Sequence, residues 1–504
     1  MSDILTILSD FIVVTMKVFG GLFILATLAL LVWIIITYII DITQTQQTIR
    51  RNYPVIGRFR YFFEHLGEFF RQYFFAMDRE ELPFNRAQRA WAYRASKNVD
   101  STVAFGSTDN ISGTGRVLFA NCTFPTLGQD AVAPADVTVG EGFCRQPYTT
   151  KSFFNISGMS YGALSKPAVL ALSAGAKKAG CWMNTGEGGL SPYHLSGGAD
   201  IVFQIGTAKN GVRDLQGNLS DEKLNKIAAH EQVRMFEIKM SQGAKPGKGG
   251  ILPGEKVSKE IAEIRGIEIG KDAMSPNRHT DISSFDDLLD MVVRVREVTG
   301  KPTGFKMVIG KPSHIEEILK TIKRRGEASA PDFITIDGAE GGTGAAPMAL
   351  IDSVGMSLRE SLPIVVDKLV EYGLKKRIKV IASGKLITPA SVAWALCAGA
   401  DFTVTARGFM FSLGCIQALQ CNRNTCPTGI TTHNPKLQKG LVPENKAMRV
   451  ENYVNNMMKE VGTIAHSCGA KSPRGLKRSH ARIVVGNGIT KGMDEIFPEK
   501  TQIH

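Results

Sequence analysis

Cysteine is scarce in this chain, with eight residues among 504, so a small fold stapled by disulfides is excluded. No G-x-G-x-x-G follows a strand-like run, which removes the usual signature of a bound dinucleotide and leaves any nicotinamide cofactor to be oxidised elsewhere. A recognisable nucleic-acid-binding motif is missing as well. The formal charge of +13 would otherwise invite one, but the basic groups are scattered as Lys323-Arg324-Arg325, Lys375-Lys376-Arg377 and Lys477-Arg478. Attraction to anionic lipid headgroups accounts for them more simply, and nucleic acid is not an expected partner.

What is present bounds the answer further. With 51 Gly, 43% hydrophobic and 21% charged residues, the chain can bury a large core and is neither fibrous nor disordered. From Val18 to Ile40 it carries no charge, a run longer than the roughly 20 residues that span a bilayer. This stretch reads as a transmembrane helix. It is too long for the apolar part of a signal peptide, and Asp3 and Asp10 precede it where a basic cluster would be expected. Arg50, Arg51, Arg58 and Arg60 follow it against Lys17 before it, which predicts a single-pass protein with its catalytic part in the cytoplasm and its thiols reduced. The next segment mixes Phe and Tyr with Arg and acids at near-helical spacing, suiting either the membrane surface or packing on a neighbouring domain.

The most specific local signal is Cys415-x5-Cys421-x4-Cys426. Ordinary zinc sites use closer pairs and four ligands, whereas three thiols at this wider spacing suit an iron–sulfur cluster with one open corner. Buried apolar thiols and a zinc site completed by His433 are the alternatives.

Beyond about residue 150, short apolar runs end in Gly-rich or polar turns and lead into helical stretches. Strands are expected near 153–156, 181–184, 201–204, 236–240, 304–308, 333–337, 379–382 and 402–405. Eight parallel strands with crossover helices predict an α/β fold, a closed (β/α)8 TIM barrel, with a doubly wound open sheet as the alternative. The loops after these strands pair Gly with charged or polar residues, and those after strands seven and eight, the usual phosphate grip of such barrels, supply Ser383-Gly384-Lys385 and Ala406-Arg407-Gly408. A phosphorylated cofactor follows, and beside a cluster it is most naturally flavin mononucleotide, FMN.

The motifs MSYGALS, NTGEGG, KMSQGAKPGKGG, SPNRHTDISSFDDL, DGAEGGTGAAP and GCIQALQCNRNTCPTG together resemble the FMN-binding synthase domain of the glutamate synthase family. The resemblance covers about residues 150–435. It implies an FMN-bearing barrel with a 3Fe–4S cluster, reducing 2-iminoglutarate, formed from 2-oxoglutarate and ammonia, to L-glutamate. By motif, Cys415, Cys421 and Cys426 would ligate the cluster. Ser160, Gly162 and Ala163 would lie along the flavin, with Gln242 and Lys306 at its ring and Gly341, Gly342, Gly384, Lys385, Ala406 and Arg407 at its phosphate end. Glu187, Lys245 and Arg265 would meet the dicarboxylate substrate. Arg265 beside Glu263 could equally form a surface ion pair, Asp337 could cap a turn, and His279 could be a loop residue or a substrate contact.

The departures from that family are also informative. The chain starts Met1-Ser2 and its first Cys is Cys122, so release of ammonia from glutamine by an N-terminal Cys is not expected. Ile251 is apolar where its loop could offer a polar substrate contact. The expected organisation is an anchor at 1–44, a juxtamembrane amphipathic and linker region at 45–150, the barrel with its iron–sulfur loop at 151–435 and a helical extension at 436–504. The expected activity is reductive amination with a 2-oxo acid and free ammonia or an amine, fed by ferredoxin or a separate reductase subunit. The alternative is a membrane flavoprotein that oxidises an amino acid or amine and passes electrons to quinone.

Overall fold

The computed structural model describes residues 2–502 and divides into two compact units, 1–86 and 87–504. The first unit begins with a helix over Ser2–Thr43. Within it, Thr6–Thr43 is long and apolar enough to cross a membrane, and its large side chains, among them Leu22, Phe23 and Ile36, are exposed. Near the end of this helix the fully buried Asp41 accepts from Arg50 at 2.6 Å, from Arg58 at 2.8 Å and from the Val55 amide at 3.0 Å. These contacts fold the following chain back and start the amphipathic helix Gly57–Phe70, where Phe59, Phe62, Phe63 and Phe70 are exposed. Two of the four arginines counted for orientation are therefore neutralised locally. Orientation follows the number of Lys and Arg rather than net charge, so that count still stands.

The second unit is built on a closed barrel of eight parallel strands. In chain order they are β1 Phe154–Ile156, β2 Met183–Asn184, β3 Ile201–Ile205, β4 Val233–Lys239, β5 Thr303–Met307, β6 Phe333–Asp337, β7 Lys379–Ser383 and β8 Phe402–Thr405. Closure comes from β8 pairing with β1, Thr403 opposite Phe154. Nearly every strand residue is buried, because helices cover the outside and side chains fill the inside, which is why the strands read as unbroken apolar runs without alternation. Two edges differ from expectation. β2 is shorter, since the Cys181 amide still closes the preceding helix on the Ala176 carbonyl and the Trp182 amide donates to Asn155 Oδ1, and β4 starts earlier, at Val233. The helices between strands start on side-chain caps, such as Ser165 for Lys166–Ala179 and Ser284 for Phe285–Thr299, and end on left-handed Gly180 and Gly300.

One end of the barrel is shut. A hairpin of Val137–Val139 and Tyr148–Thr150 puts Val139 and Tyr148 against Trp182, Phe333 and Phe402 near the N-terminal strand ends. Only the C-terminal face is left for a ligand. Residues 436–502 combine helix and strand. Helix Pro443–Ser467 packs on Lys166–Ala179 so closely that a methyl on Gly175 would lie 2.5 Å from Val450 Cβ. The chain then forms a hairpin, Ala481–Gly486 with Ile489–Gly492, that pairs with Val117–Phe119.

Candidate active site

The loops at the C-terminal strand ends enclose a cavity of about 660 Å³. A narrower cleft of about 50 Å³ lies among Lys306, Asp337, Gly341, Ser383, Gly384 and Lys385. Gln204, Lys239, Gln242, Gly342, Ala406 and Arg407 line both, so the two spaces adjoin.

In the large cavity Glu187 follows β2 and Lys245 follows β4, while Arg265 ends the helix Lys259–Arg265. Glu187 Oε2 lies 3.1 Å from Lys239 Nζ. Two glycines make the slot for its side chain, since a methyl at Gly206 would sit 2.5 Å from Glu187 Cβ and one at Gly250 would sit 2.2 Å from its Oε1. Burial alone would raise the pKa of Glu187, but the charges of Lys239, Lys245 and Arg265 outweigh it and hold the carboxyl ionised, below its ordinary value. Burial pulls Lys245 down to about 8, with Lys239 adding to the effect and Glu187 opposing it.

Arg265 is not the surface residue that Glu263 suggested. It is 6% exposed, and its Nη2 donates to Ser160 Oγ at 3.1 Å and to the Tyr161 carbonyl at 2.9 Å. Its buried Nε has no partner among the described residues, and neither does Asn210 Oδ1, whose Nδ2 donates to the Glu187 carbonyl at 3.0 Å. A donor and an acceptor thus stand ready on residues that line the cavity.

The narrow cleft is organised by Asp337 at the end of β6. Its carboxylate accepts from the Gly243 amide at 2.9 Å and from Ser383 Oγ at 2.8 Å, and lies 3.2 Å from Lys306 Nζ. It is therefore a hub joining β5, β7 and the loop after β4 rather than a local turn cap. Burial would lower the pKa of Lys306, but Asp337 and Glu237 raise it. Arg407 Nη2 donates to the Glu340 carbonyl at 2.6 Å, and burial takes its pKa down to about 10. Lys385 is lowered by burial and by Arg407 beside it. Its φ of 51°, following Gly384 at 148°, turns the backbone sharply at this end of the cleft. Gly342 lets its loop approach Arg407, whose Nε would lie 2.8 Å from an added methyl. Gly162 is absent from both linings. Its carbonyl accepts from His433 Nε2 at 2.8 Å, so it braces the flavin-side loop from behind.

The cysteine stretch follows the helix Arg407–Leu413 that begins at the end of β8. Cys421 reaches the cavity wall. Cys415 is pushed up to about 12, chiefly by burial and further by Cys421 and Cys426, so the three thiols feel one another's charge. Among the described residues no three His, Cys, Asp or Glu side chains converge to hold a single ion. His433 is engaged on the Gly162 carbonyl and is not turned toward these thiols to complete a zinc site with bonds of about 2.3 Å.

A family model described as "Conserved region in glutamate synthase" matches residues 128–471. The glutamate synthase large subunit-like protein YerD of Bacillus subtilis (strain 168) is 41% identical over 93% of this chain and 95% of its own length. The chain belongs to the glutamate synthase family. An archaeal-type glutamate synthase (NADPH) of Thermotoga maritima is 35% identical over 66% of this chain and 62% of its own length, so this chain matches only part of that protein. Among solved structures, a mandelate oxidase with (S)-4-hydroxymandelic acid aligns over 79% of this chain and 99% of its own at 14% identity, with a TM-score of 0.47.

Within this glutamate synthase family chain, reasoning from motifs passed over Lys239, which stands where the two spaces meet. The signal was its position as the last residue of β4, opening the loop KMSQGAK that was already singled out. His279 sits behind it, fully buried, with Nε2 3.1 Å from the Lys239 carbonyl, and is therefore neither a free loop residue nor in the cavity lining.

Proposed function

We propose that this protein is an FMN- and 3Fe–4S-dependent oxidoreductase that converts 2-oxoglutarate and free ammonia or an amine, through 2-iminoglutarate, to L-glutamate, using electrons from ferredoxin or a separate reductase. The observation that carries the reading is the convergence of Glu187, Lys245 and Arg265 in one cavity that adjoins a cation-lined cleft of flavin-phosphate character. The 2-imino acid is reduced by the electron pair that FMN supplies when bound.

The chain's own residues prepare that step. Lys245 and Arg265 offer two cations to the two carboxylates of the substrate, and the unpartnered Arg265 Nε is a donor ready for one of them. Glu187, held ionised and oriented by Lys239, accepts hydrogen bonds from the incoming ammonia and can take its proton as the imine forms. Gln242 is fixed by its Nε2 bond to the Gly342 carbonyl at 3.1 Å, and Lys306 by Asp337, so both present their groups to the cofactor in set positions. Lys385 and Arg407 would hold the phosphate, and Cys415, Cys421 and Cys426 the cluster. The apolar helix near the N-terminus would anchor the protein in a single pass, with the barrel in the cytoplasm.

Anaerobically purified full-length protein tests this. FMN and iron should be present, and the reduced flavin should be reoxidised by 2-oxoglutarate plus ammonium. If that mixture leaves the flavin reduced while a quinone analogue oxidises it quickly, the protein is instead a membrane electron-transfer flavoprotein. Stoichiometric zinc without iron would sink the cluster assignment. Signal from a C-terminal reporter that works only outside the cytoplasm would reverse the topology.

A further inference from the structure

Lys256 ends the short turn Gly254–Lys256 and is only 2% exposed. The turn is held tightly: a methyl on Gly254 would lie 2.4 Å from the Gly270 carbonyl oxygen, and the Gly254 amide donates to Asp272 Oδ1 at 2.7 Å. The Lys256 ammonium donates to the carbonyls of Cys421 at 2.8 Å, Thr431 at 2.6 Å and Ala163 at 3.5 Å. No carboxylate pairs with it among the described residues. Three carbonyl dipoles satisfy its hydrogens but leave a full positive charge in the interior, an arrangement that is unfavourable unless negative charge arrives nearby. The negative groups nearest at hand are the thiolates of the loop that Lys256 grips, although Lys256 also lines the large cavity.

We infer that Lys256 is a positioning residue that couples the cysteine loop to the flavin-side loop and favours the reduced state of the iron–sulfur cluster. The inference rests on the cluster reading of Cys415, Cys421 and Cys426. Ala163 belongs to the loop expected along the flavin, and Cys421 and Thr431 to the loop expected around the cluster, so one ammonium spans both. His433 Nε2 on the Gly162 carbonyl at 2.8 Å makes a second link between the same two loops. A cluster gains one negative charge on reduction, and a fixed cation beside it stabilises that form more than the oxidised one. Taking the charge away while keeping the bulk therefore shifts the equilibrium toward oxidation.

The test is an EPR-monitored redox titration of the full-length, anaerobically purified wild type, K256M and K256R. At a fixed potential K256M should show about tenfold less reduced relative to oxidised cluster, a screened unit charge being worth that order at this range, which is 59 mV for a one-electron couple. K256R, which keeps the charge, should stay near wild type. If K256M loses iron while K256R keeps it, the same charge is needed to assemble the loop, which supports the inference. An unchanged ratio in iron-loaded K256M overturns it, and so does equal loss of iron in both variants, since shape rather than charge would then decide. Iron-free wild type would instead overturn the cluster reading, and this inference with it.

Discussion

The two ends of the barrel treat charge in opposite ways. At the N-terminal end, Asp332 is fully buried and shared between Arg377 at 2.8 Å and Arg296 at 3.6 Å, with the Thr303 amide at 2.8 Å. Arg296 and Arg377 also donate to the Ala330 carbonyl at 2.7 and 3.0 Å, Arg377 Nε stays without a hydrogen-bond partner among the described residues, and the Phe143 ring lies 3.8 Å from the Arg377 guanidinium carbon. At the C-terminal end, neither Lys245 nor Arg265 has a carboxylate within ion-pair distance among the described residues. A buried carboxylate shared by two arginines makes the loss of any one member costly, whereas cations gathered without partners oppose folding and become useful when an anion arrives. The division matches the fold's general use of its two faces.

Breaking the closed end should have the largest effect. Asp332→Ala leaves two buried arginines without their carboxylate and should destabilise the protein by about 3–5 kcal/mol, read from denaturant or thermal unfolding. A loss below about 1 kcal/mol would mean that this end is not the structural one. At the open end, Lys245→Ala should weaken oxo-acid binding by about 1–3 kcal/mol, read from the concentration dependence of flavin reoxidation, while leaving stability unchanged or raised. A large fall in melting temperature would instead make Lys245 a structural residue.

Dependence on pH sharpens the contrast. Lys245 sits at about 8 when folded against an ordinary value of 10.5, so the unfolded chain binds more protons across that window and its contribution to stability rises with pH from about 8 to 10.5. Substrate binding needs the charged amine and should run the other way, with KM for the oxo acid climbing about tenfold per pH unit above 8. A Lys245→Gln variant should lose that slope, and retention of the slope would assign it to another group. The smallest effect is expected for Cys144→Ser. The thiol lies 3.4 Å from Asp332 Oδ2, burial pushes its pKa well above the ordinary value, and the weak bond it contributes is worth no more than about 1 kcal/mol. Loss of the fold in this variant would show that the N-terminal network depends on the thiol as much as on the ion pairs.

The eight strands were legible because each is buried on both faces and so appears as an apolar run, and the loops after them because ligand approach demands Gly beside charge. The start of β2 was not, since Trp182 packs on Tyr148 and Phe402 through contacts that no local window contains. Arg265 misled for a similar reason. In sequence it ends a polar helical stretch beside Glu263, but the helix is seven residues long, stops at left-handed Gly266 and turns that side chain inward onto Ser160. Asp337 looked like a cap because its partners Gly243, Lys306 and Ser383 arrive from distant segments, the loop after β4 and the ends of β5 and β7.

By itself, then, the sequence determined the barrel, its functional face, the long apolar helix and the set of residues from which a site could be made, because these depend on apolar patterning and on residue types that only certain backbone geometries tolerate. Only the tertiary structure decided which charges are neutralised and which are left facing the cavity. That Asp41 collects Arg50 and Arg58, that Asp332 collects Arg296 and Arg377, and that Lys245, Arg265 and Lys256 are given no carboxylate follows from how distant segments meet in space. Coulomb energy depends on separation and burial, and neither is written in the order of residues along the chain.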